Sequence, residues 1–209
     1  MFIVFEGLDG SGKSTLIERF FGELKKHKVP YVFTSDPGGT DVGESIRDVL
    51  LDKKLSPEPL TELLLYQASR AELVRKVIIP SLKEKKWVIS DRFYPSTLSF
   101  QGYARGIDVA KINWLNNLVT DKCKPDYIVW VNTPLEVCQE RLKKRSNEGE
   151  TLNRLDEETI SFHQKVYEGY KAQSLLDKNS QWIVLDGNQT LEELYKSFHE
   201  KLGGLWTKD

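Results

Sequence analysis

Sulfur is scarce in this chain of 209 residues, which carries two cysteines and one methionine. Cys123 and Cys138 fall in no metal-ligand spacing, which excludes a zinc ribbon; they read as reduced thiols of a cytosolic protein, with a single disulfide as the alternative. An excess of charge of one sign is also missing. Thirty Lys and Arg stand against 31 Asp and Glu, a net charge of −1, so no global basic field recruits nucleic acid and any positive site is local. Long hydrophobic runs are absent too. None approaches the ~20 apolar residues of a membrane span. The first apolar run leads straight into a glycine-rich loop, so no signal peptide is read and a cytoplasmic location is expected. There is no internal repeat, linker or low-complexity segment, and the length suits a single domain over 1–209.

What is present begins at once. Phe2-Ile3-Val4-Phe5-Glu6 precedes Gly7-Leu8-Asp9-Gly10-Ser11-Gly12-Lys13-Ser14-Thr15, a full match to G-x-x-x-x-G-K-[ST]. Leu16, Ile17, Phe20, Phe21 and Leu24 follow at helical spacing. That strand–loop–helix context separates a phosphate loop from a chance glycine-rich turn. Glycines let successive backbone N–H groups turn inward around phosphate at a helix N-terminus. Lys13 can then reach the β- and γ-phosphates, and the Ser14 hydroxyl can bind Mg²⁺. The chain is expected to bind a nucleoside triphosphate.

Short apolar runs recur at Tyr31-Val32-Phe33, Trp87-Val88-Ile89, Tyr127-Ile128-Val129-Trp130-Val131 and Trp182-Ile183-Val184-Leu185, as parallel strands covered on both faces require. Helices are predicted between them at about 42–51, 59–86, 108–123, 134–145, 157–177 and 190–203, with Asp108 as an N-cap. Five strands joined by crossover helices predict an α/β fold: a five-stranded parallel sheet flanked by helices on both faces, its ligands at the strands' carboxyl ends. A short lid is expected near 143–155.

Several residues could carry chemistry around such a loop. Asp91 and Arg92 directly follow a strand, where an aspartate commonly holds Mg²⁺ and an arginine faces the cleft; a solvated ion pair is the plainer alternative. Arg141, Lys143, Lys144 and Arg145 crowd one helix end, and Arg154 follows a polar stretch through Ser146 to Thr151. Such a run is often only a solvated face, but a closing lid would deliver arginine to a transferring phosphoryl group and exclude water. Ser35-Asp36-Pro37-Gly38-Gly39-Thr40 has the D-x-x-G letters of a GTPase switch, yet no N-K-x-D guanine-reading motif occurs, so a turn beside an acceptor nucleotide or a plain connection remains. On the helix carrying Leu63-Leu64-Leu65-Tyr66-Gln67-Ala68-Ser69-Arg70, Arg70 reads either as a phosphate partner or as an exposed cation, and Tyr66 could offer a ring face to a base. His27, His163 and His199 lie on polar stretches and are expected to be chemically silent.

Together GLDGSGKST, DPGGT, LLLYQASR and Asp91-Arg92-Phe93-Tyr94-Pro95-Ser96-Thr97-Leu98-Ser99-Phe100-Gln101-Gly102 resemble the thymidylate kinase family, in order and over nearly the whole chain, with Asn153-Arg154-Leu155-Asp156 completing the set. The resemblance implies a P-loop NTPase fold, a homodimer, and transfer of the ATP γ-phosphate to dTMP with Mg²⁺, for dTTP synthesis. It implies that Gly7, Asp9, Gly10, Ser11, Gly12, Lys13, Ser14 and Thr15 hold ATP, with Gly187 and Asn188 covering adenine. Asp9 would orient the acceptor phosphate and join Ser14 and Asp91 at the metal. Asp36, Pro37, Tyr66, Arg70, Arg92, Ser96, Thr97, Phe100 and Gln101 would receive dTMP: Tyr66 stacks on thymine, Arg70 reads the base, Arg92 holds the phosphate, Thr97 and Gln101 face the base, and Phe100 crowds the sugar 2′-carbon. The phosphate loop contains no arginine, so the chain resembles the lid-supplied type, with Lys13, Asp9, Arg92 and the lid residues Arg141, Arg145 and Arg154 as catalytic candidates and Arg145 preferred. Ser35 and Asp36 depart from the Arg-Glu usual there, so a different local network is expected. The rival readings are another nucleoside monophosphate kinase, a deoxynucleoside kinase, and a nucleotide-gated binding module.

Overall fold

A computed structural model describes residues 1–149, 151–179 and 181–203. Its sheet is built from β1 (Phe2–Glu6), β2 (Tyr31–Ser35), β3 (Trp87–Asp91), β4 (Tyr127–Asn132) and β5 (Trp182–Asp186), in the order β2-β3-β1-β4-β5 and parallel throughout. The expected five-stranded α/β architecture is therefore observed. Each of the last four strands runs one or two residues beyond its apolar run, ending on the polar Ser35, Asp91, Asn132 and Asp186. Side chains alternate along β1. Ile3 and Phe5 join one core with Leu16, Phe20, Leu24 and Phe198, while Phe2 and Val4 join another with Leu73, Ile78 and Phe93. Both sheet faces are thus covered, by α1 (Lys13–Lys26) and α9 (Leu191–Leu202) on the first.

The register gathers chemistry at one edge. Phe5 pairs with Asp91, and Asp91 with Ser35, so Glu6, Asp91 and Asp36 emerge side by side where the chain order reverses around β1. α2 (Asp41–Leu51) is capped by Thr40, whose hydroxyl accepts from Gly43 N at 2.9 Å. α3 (Pro59–Leu73) continues through a π-helical turn, Val74–Ile78, into α4 (Ile79–Lys83), so the predicted single helix is one rod with a widened turn. Asp108 caps α6 (Val109–Thr120) as its sequence suggested.

One helical segment was not predicted. α5 (Tyr94–Thr97) opens with Pro95 in its first turn and widens into a π-helical stretch, Leu98–Ala104. Its polar, proline- and glycine-punctuated letters carry no amphipathic period, because almost every side chain from Pro95 to Gly102 is buried. α8 (Ile160–Leu175) packs directly on it: a Cβ on Gly169 would come within 2.8 Å of the Ser99 Cα. α7 (Leu135–Asn147) absorbs the first residues of the expected lid, so the connecting segment begins only at Glu148. Glu150, inside that segment, lies outside the described residues. Cys123 and Cys138 are free thiols. Among the described residues no helix is long and apolar enough to cross a membrane.

Candidate active site

On the donor side β1 turns through Gly7, Gly10 and Gly12, all at positive φ, into the N-terminus of α1. A Cβ on Gly10 would lie 2.5 Å from the Cys138 carbonyl oxygen, so both the backbone and the space demand glycine. Lys13 is buried, its Nζ 3.9 Å from Asp9 Oδ1 and 3.7 Å from Asp91 Oδ1. Ser14 and Thr15 are exposed in the same cleft, which Arg141, Lys144, Arg145, Thr151, Asn153 and Asp156 also line. Arg141 donates to the carbonyls of Gly10 and Ser11, each at 3.2 Å, and of Gly187 at 3.3 Å. It thereby ties the phosphate loop to the turn after β5, where Asn188 N donates to Asp186 Oδ1.

Asp91 Oδ1 is buried without a hydrogen-bond partner. A carboxylate oxygen left so beside a lysine and an open serine hydroxyl fits a cation held largely by phosphates and water. Among the described residues no group of three or more His, Cys, Asp and Glu could hold a metal ion on its own. Mg²⁺ fits this donor set, because it binds through one or two carboxylates plus substrate phosphates.

The acceptor side is a cavity that opens beside Asp9. Asp36, Pro37, Tyr66, Arg70, Arg92, Ser96, Thr97, Phe100 and Gln101, all expected from sequence, line it together with Asp9. Arg70 is completely buried, not an exposed helix cation. Its Nε donates to Asp36 Oδ2 at 2.5 Å, Nη1 to Asn116 Oδ1 at 3.0 Å and Nη2 to Thr97 Oγ1 at 2.7 Å. Asp36, the shortened residue of the DPGG turn, thus reaches Arg70 directly. Burial pushes the Asp36 carboxyl above its usual value, against the opposing pull of Arg70.

Arg92 is the hinge between the two sides. It sits at φ 71°, a left-handed conformation uncommon for a non-glycine residue. Backbone bonds over-determine it: its N–H donates to Phe5 O, and its carbonyl accepts from Ser90 Oγ. The guanidinium donates to Asp9 Oδ1 at 2.9 Å, to Tyr170 Oη at 2.9 Å and to Ser96 Oγ at 3.3 Å, and lies 5.3 Å from the Phe100 ring centre. Burial alone would raise the Asp9 carboxyl, but Arg92 and Lys13 outweigh it and hold the group at about 2. Beneath lies Glu6, fully buried, accepting from Ser96 Oγ at 2.6 Å, Tyr170 Oη at 2.9 Å and Phe93 N at 3.0 Å. Burial lifts its carboxyl above the usual range, opposed by Arg92.

Sequence reasoning missed Glu6, Arg47, Glu62, Asn116 and Tyr170. Arg47 lines both clefts and donates to Pro37 O at 2.8 Å. A glutamate closing an apolar strand was the one available signal for Glu6; the others carry no local pattern. One expectation also changes. Arg154 lines neither cleft; its side chain donates to Leu50 O at 3.0 Å and to Glu62 Oε2 at 2.7 Å, anchoring the segment after α7 to α2 and α3. His163 is buried, and burial lowers its pKa against the opposing pull of Asp9.

A family model described as thymidylate kinase matches residues 5–198. Curated relatives agree. The thymidylate kinase of Kosmotoga olearia is 38% identical over 94% of this chain and 92% of its own length. That of Carboxydothermus hydrogenoformans is 40% identical over 97% and 98% respectively, and that of a Marinomonas species 41% over 100% and 98%.

Proposed function

The chain belongs to the thymidylate kinase family and is a kinase acting on dTMP, and from that premise we propose that ATP with Mg²⁺ is its donor, that the reaction yields dTDP and ADP for dTTP synthesis, and that one domain carries both sites. One observation carries the site assignment: Asp9 pairs with Lys13 of the donor loop and with Arg92 of the acceptor cavity at once. Two anion-binding halves therefore meet at a single carboxylate. Gly7, Gly10, Ser11, Gly12 and Thr15 cradle the triphosphate by backbone and hydroxyl groups, and Lys13 holds the β- and γ-oxygens. Ser14, Asp91 and Asp9 are the residues that would hold Mg²⁺, which would supply positive charge against the phosphates.

Arg92, fixed by Asp9, Ser96 and Tyr170, holds the acceptor phosphate in line, so little reorganisation is left for the reaction itself. The acceptor is already an anion, so no strong base is needed. Arg145, exposed on the last turn of α7 in the donor cleft, is the lid residue assigned to the charge spreading over the transferring oxygens. Arg141 and Arg154 support from behind, the first on the phosphate loop and the second on Glu62. Gly187 and Asn188 border adenine. Tyr66 offers its ring to thymine, Arg70 and Thr97 its edge recognition, and Phe100 crowds the 2′-carbon; Asp36, Pro37, Ser96 and Gln101 complete the pocket.

The functional unit is a homodimer in the cytoplasm, without nucleic-acid or membrane partners. Supporting it, Leu60 and Leu64 on α3 and Trp114 and Leu118 on α6 stand exposed beside one apolar groove. Trp114→Glu is expected to shift sedimentation from dimer to monomer. The decisive test of function is substrate profiling with dTMP, thymidine, dUMP, AMP and UMP. Turnover is expected on dTMP, and some on dUMP, because one methyl group is worth only about 1–3 kcal/mol. Strong AMP or UMP phosphorylation with negligible dTMP turnover would overturn the reading. ATP hydrolysis that ignores every acceptor would favour a binding module instead.

A further inference from the structure

Beneath the acceptor cavity lies a carboxylate with no assigned role. Glu62 on α3 is completely buried, and every partner it has is a donor. Its Oε1 accepts from Gln101 Nε2 at 2.9 Å and from Arg105 Nε at 3.1 Å, and its Oε2 from Arg154 Nη2 at 2.7 Å and Arg105 Nη2 at 3.1 Å. Burial alone would raise this carboxyl, but those hydrogen bonds outweigh it and hold it below the usual value, so it is ionised and can only accept. Gln101 itself is buried in the cavity wall on the π-helical stretch, its backbone carbonyl held by Ile107 N at 3.0 Å.

An amide has two unlike ends. With Nε2 donating to Glu62, Oε1 is the acceptor that the Gln101 amide, on the cavity wall, has left to offer a ligand. A flipped amide would set Oε1 against the carboxylate, acceptor on acceptor in a buried place, which is why the orientation is fixed. The neighbouring Arg70 offers only donors, and the Thr97 hydroxyl adapts to either partner.

We propose that Glu62 is a specificity-determining positioning residue: by fixing the Gln101 amide it makes the cavity accept a base edge with a ring N–H, as in thymine or uracil, and reject one with a bare ring nitrogen, as in cytosine. This rests on the reading of the cavity as the dTMP site. A cytosine ring nitrogen would face the Gln101 oxygen with no proton between them, and its exocyclic amino group would face a guanidinium.

The test compares kcat/KM for dTMP and dCMP. The unaltered enzyme is expected to favour dTMP by about 10⁴, as sites built to hydrogen-bond a substrate N–H do. In Glu62→Gln the new amide can donate to Gln101, which frees its orientation. The dTMP KM should rise, and the dTMP:dCMP ratio should fall by about 10-fold or more, with Arg70 retaining the rest. Arg105→Gln leaves the Gln101–Glu62 bond in place and should keep the ratio. A merely structural Glu62 would lower both substrates in proportion; an unmoved ratio in folded Glu62→Gln, or an equal collapse in Arg105→Gln, overturns the proposal. If Glu62→Gln is insoluble, Glu62→Asp decides, since it draws the carboxylate away from the Gln101 amide while keeping the charge: a ratio that drops supports the proposal and an unchanged one rejects it. Absence of dTMP turnover in the unaltered enzyme would instead defeat the underlying functional reading.

Discussion

The two halves of the site are built in opposite ways. Around the acceptor cavity the polar groups are buried and bonded to one another: Asp36, Arg70, Thr97 and Asn116 form one chain of contacts, and Glu6, Ser96, Tyr170 and Arg92 another. Around the phosphate loop the groups that would meet ATP are exposed. Ser14, Thr15, Lys144 and Arg145 are exposed, while Gly7, Ser11 and Lys13 are buried at the base of the loop. The difference matches what each half must do. Discrimination among bases requires rigid donors and acceptors that cannot rearrange to satisfy the wrong partner. Phosphate recognition requires charge and backbone N–H groups, which tolerate an open cleft that fills and empties at every turnover.

That contrast breaks first at the residue carrying the donor's charge. Lys13→Ala is expected to lower kcat by about 10³ or more while leaving the thermal shift given by dTMP intact, because the acceptor cavity does not use Lys13. Stopped-flow turnover and dTMP thermal shift on one sample would check both halves of the statement. Arg145→Ala should cost about 10²–10³ in kcat, with KM for dTMP changed only a few-fold. Unchanged turnover would remove Arg145 from the charge-neutralising role.

On the acceptor side, substitution should show up in stability as much as in rate. Arg70→Ala leaves Asp36 buried without its cation, and breaking such a pair typically costs about 3–5 kcal/mol. Burial already raises the Asp36 carboxyl, so in the variant it should take up a proton more readily. The variant's stability should accordingly fall as pH rises, because folding then holds a proton that neutral solvent removes. Denaturant midpoints at two pH values would measure this, and dTMP KM should rise by about 10²-fold.

Legibility followed the same division. The phosphate loop could be read letter by letter, because its chemistry is carried by contiguous backbone and two adjacent side chains. The sheet was legible because strands buried on both faces are continuous apolar runs. The acceptor cavity was legible only through family resemblance, since Asp36, Arg70 and Thr97 lie far apart in the chain and meet only in the fold. The supporting residues were not legible at all. Glu62 reads as an ordinary helix glutamate, yet it is fully buried and binds two arginines and an amide from two other segments. The helix from Tyr94 was hidden for a related reason: a segment buried on every side has no polar face, so it has no period to detect.

The smallest expected effect sits where the halves join. Asp9 is held at about 2 against an ordinary value of 3.8, with Arg92 and Lys13 overcoming burial. Because the folded value is depressed, the stabilisation is fully present above about pH 4 and is lost as pH falls towards 2. Asp9 is partly open to solvent, which screens the pairing, so the contribution is about 1 kcal/mol. Asp9→Asn should therefore flatten the acid limb of a plot of Tm against pH between 4 and 2, leaving the curve near neutrality lower by about 2–4 °C. An acid limb as steep in Asp9→Asn as in the unaltered protein would mean that Lys13 and Arg92 are held by their other partners, Asp91, Tyr170 and Ser96, and that the junction between the halves is steric instead of electrostatic.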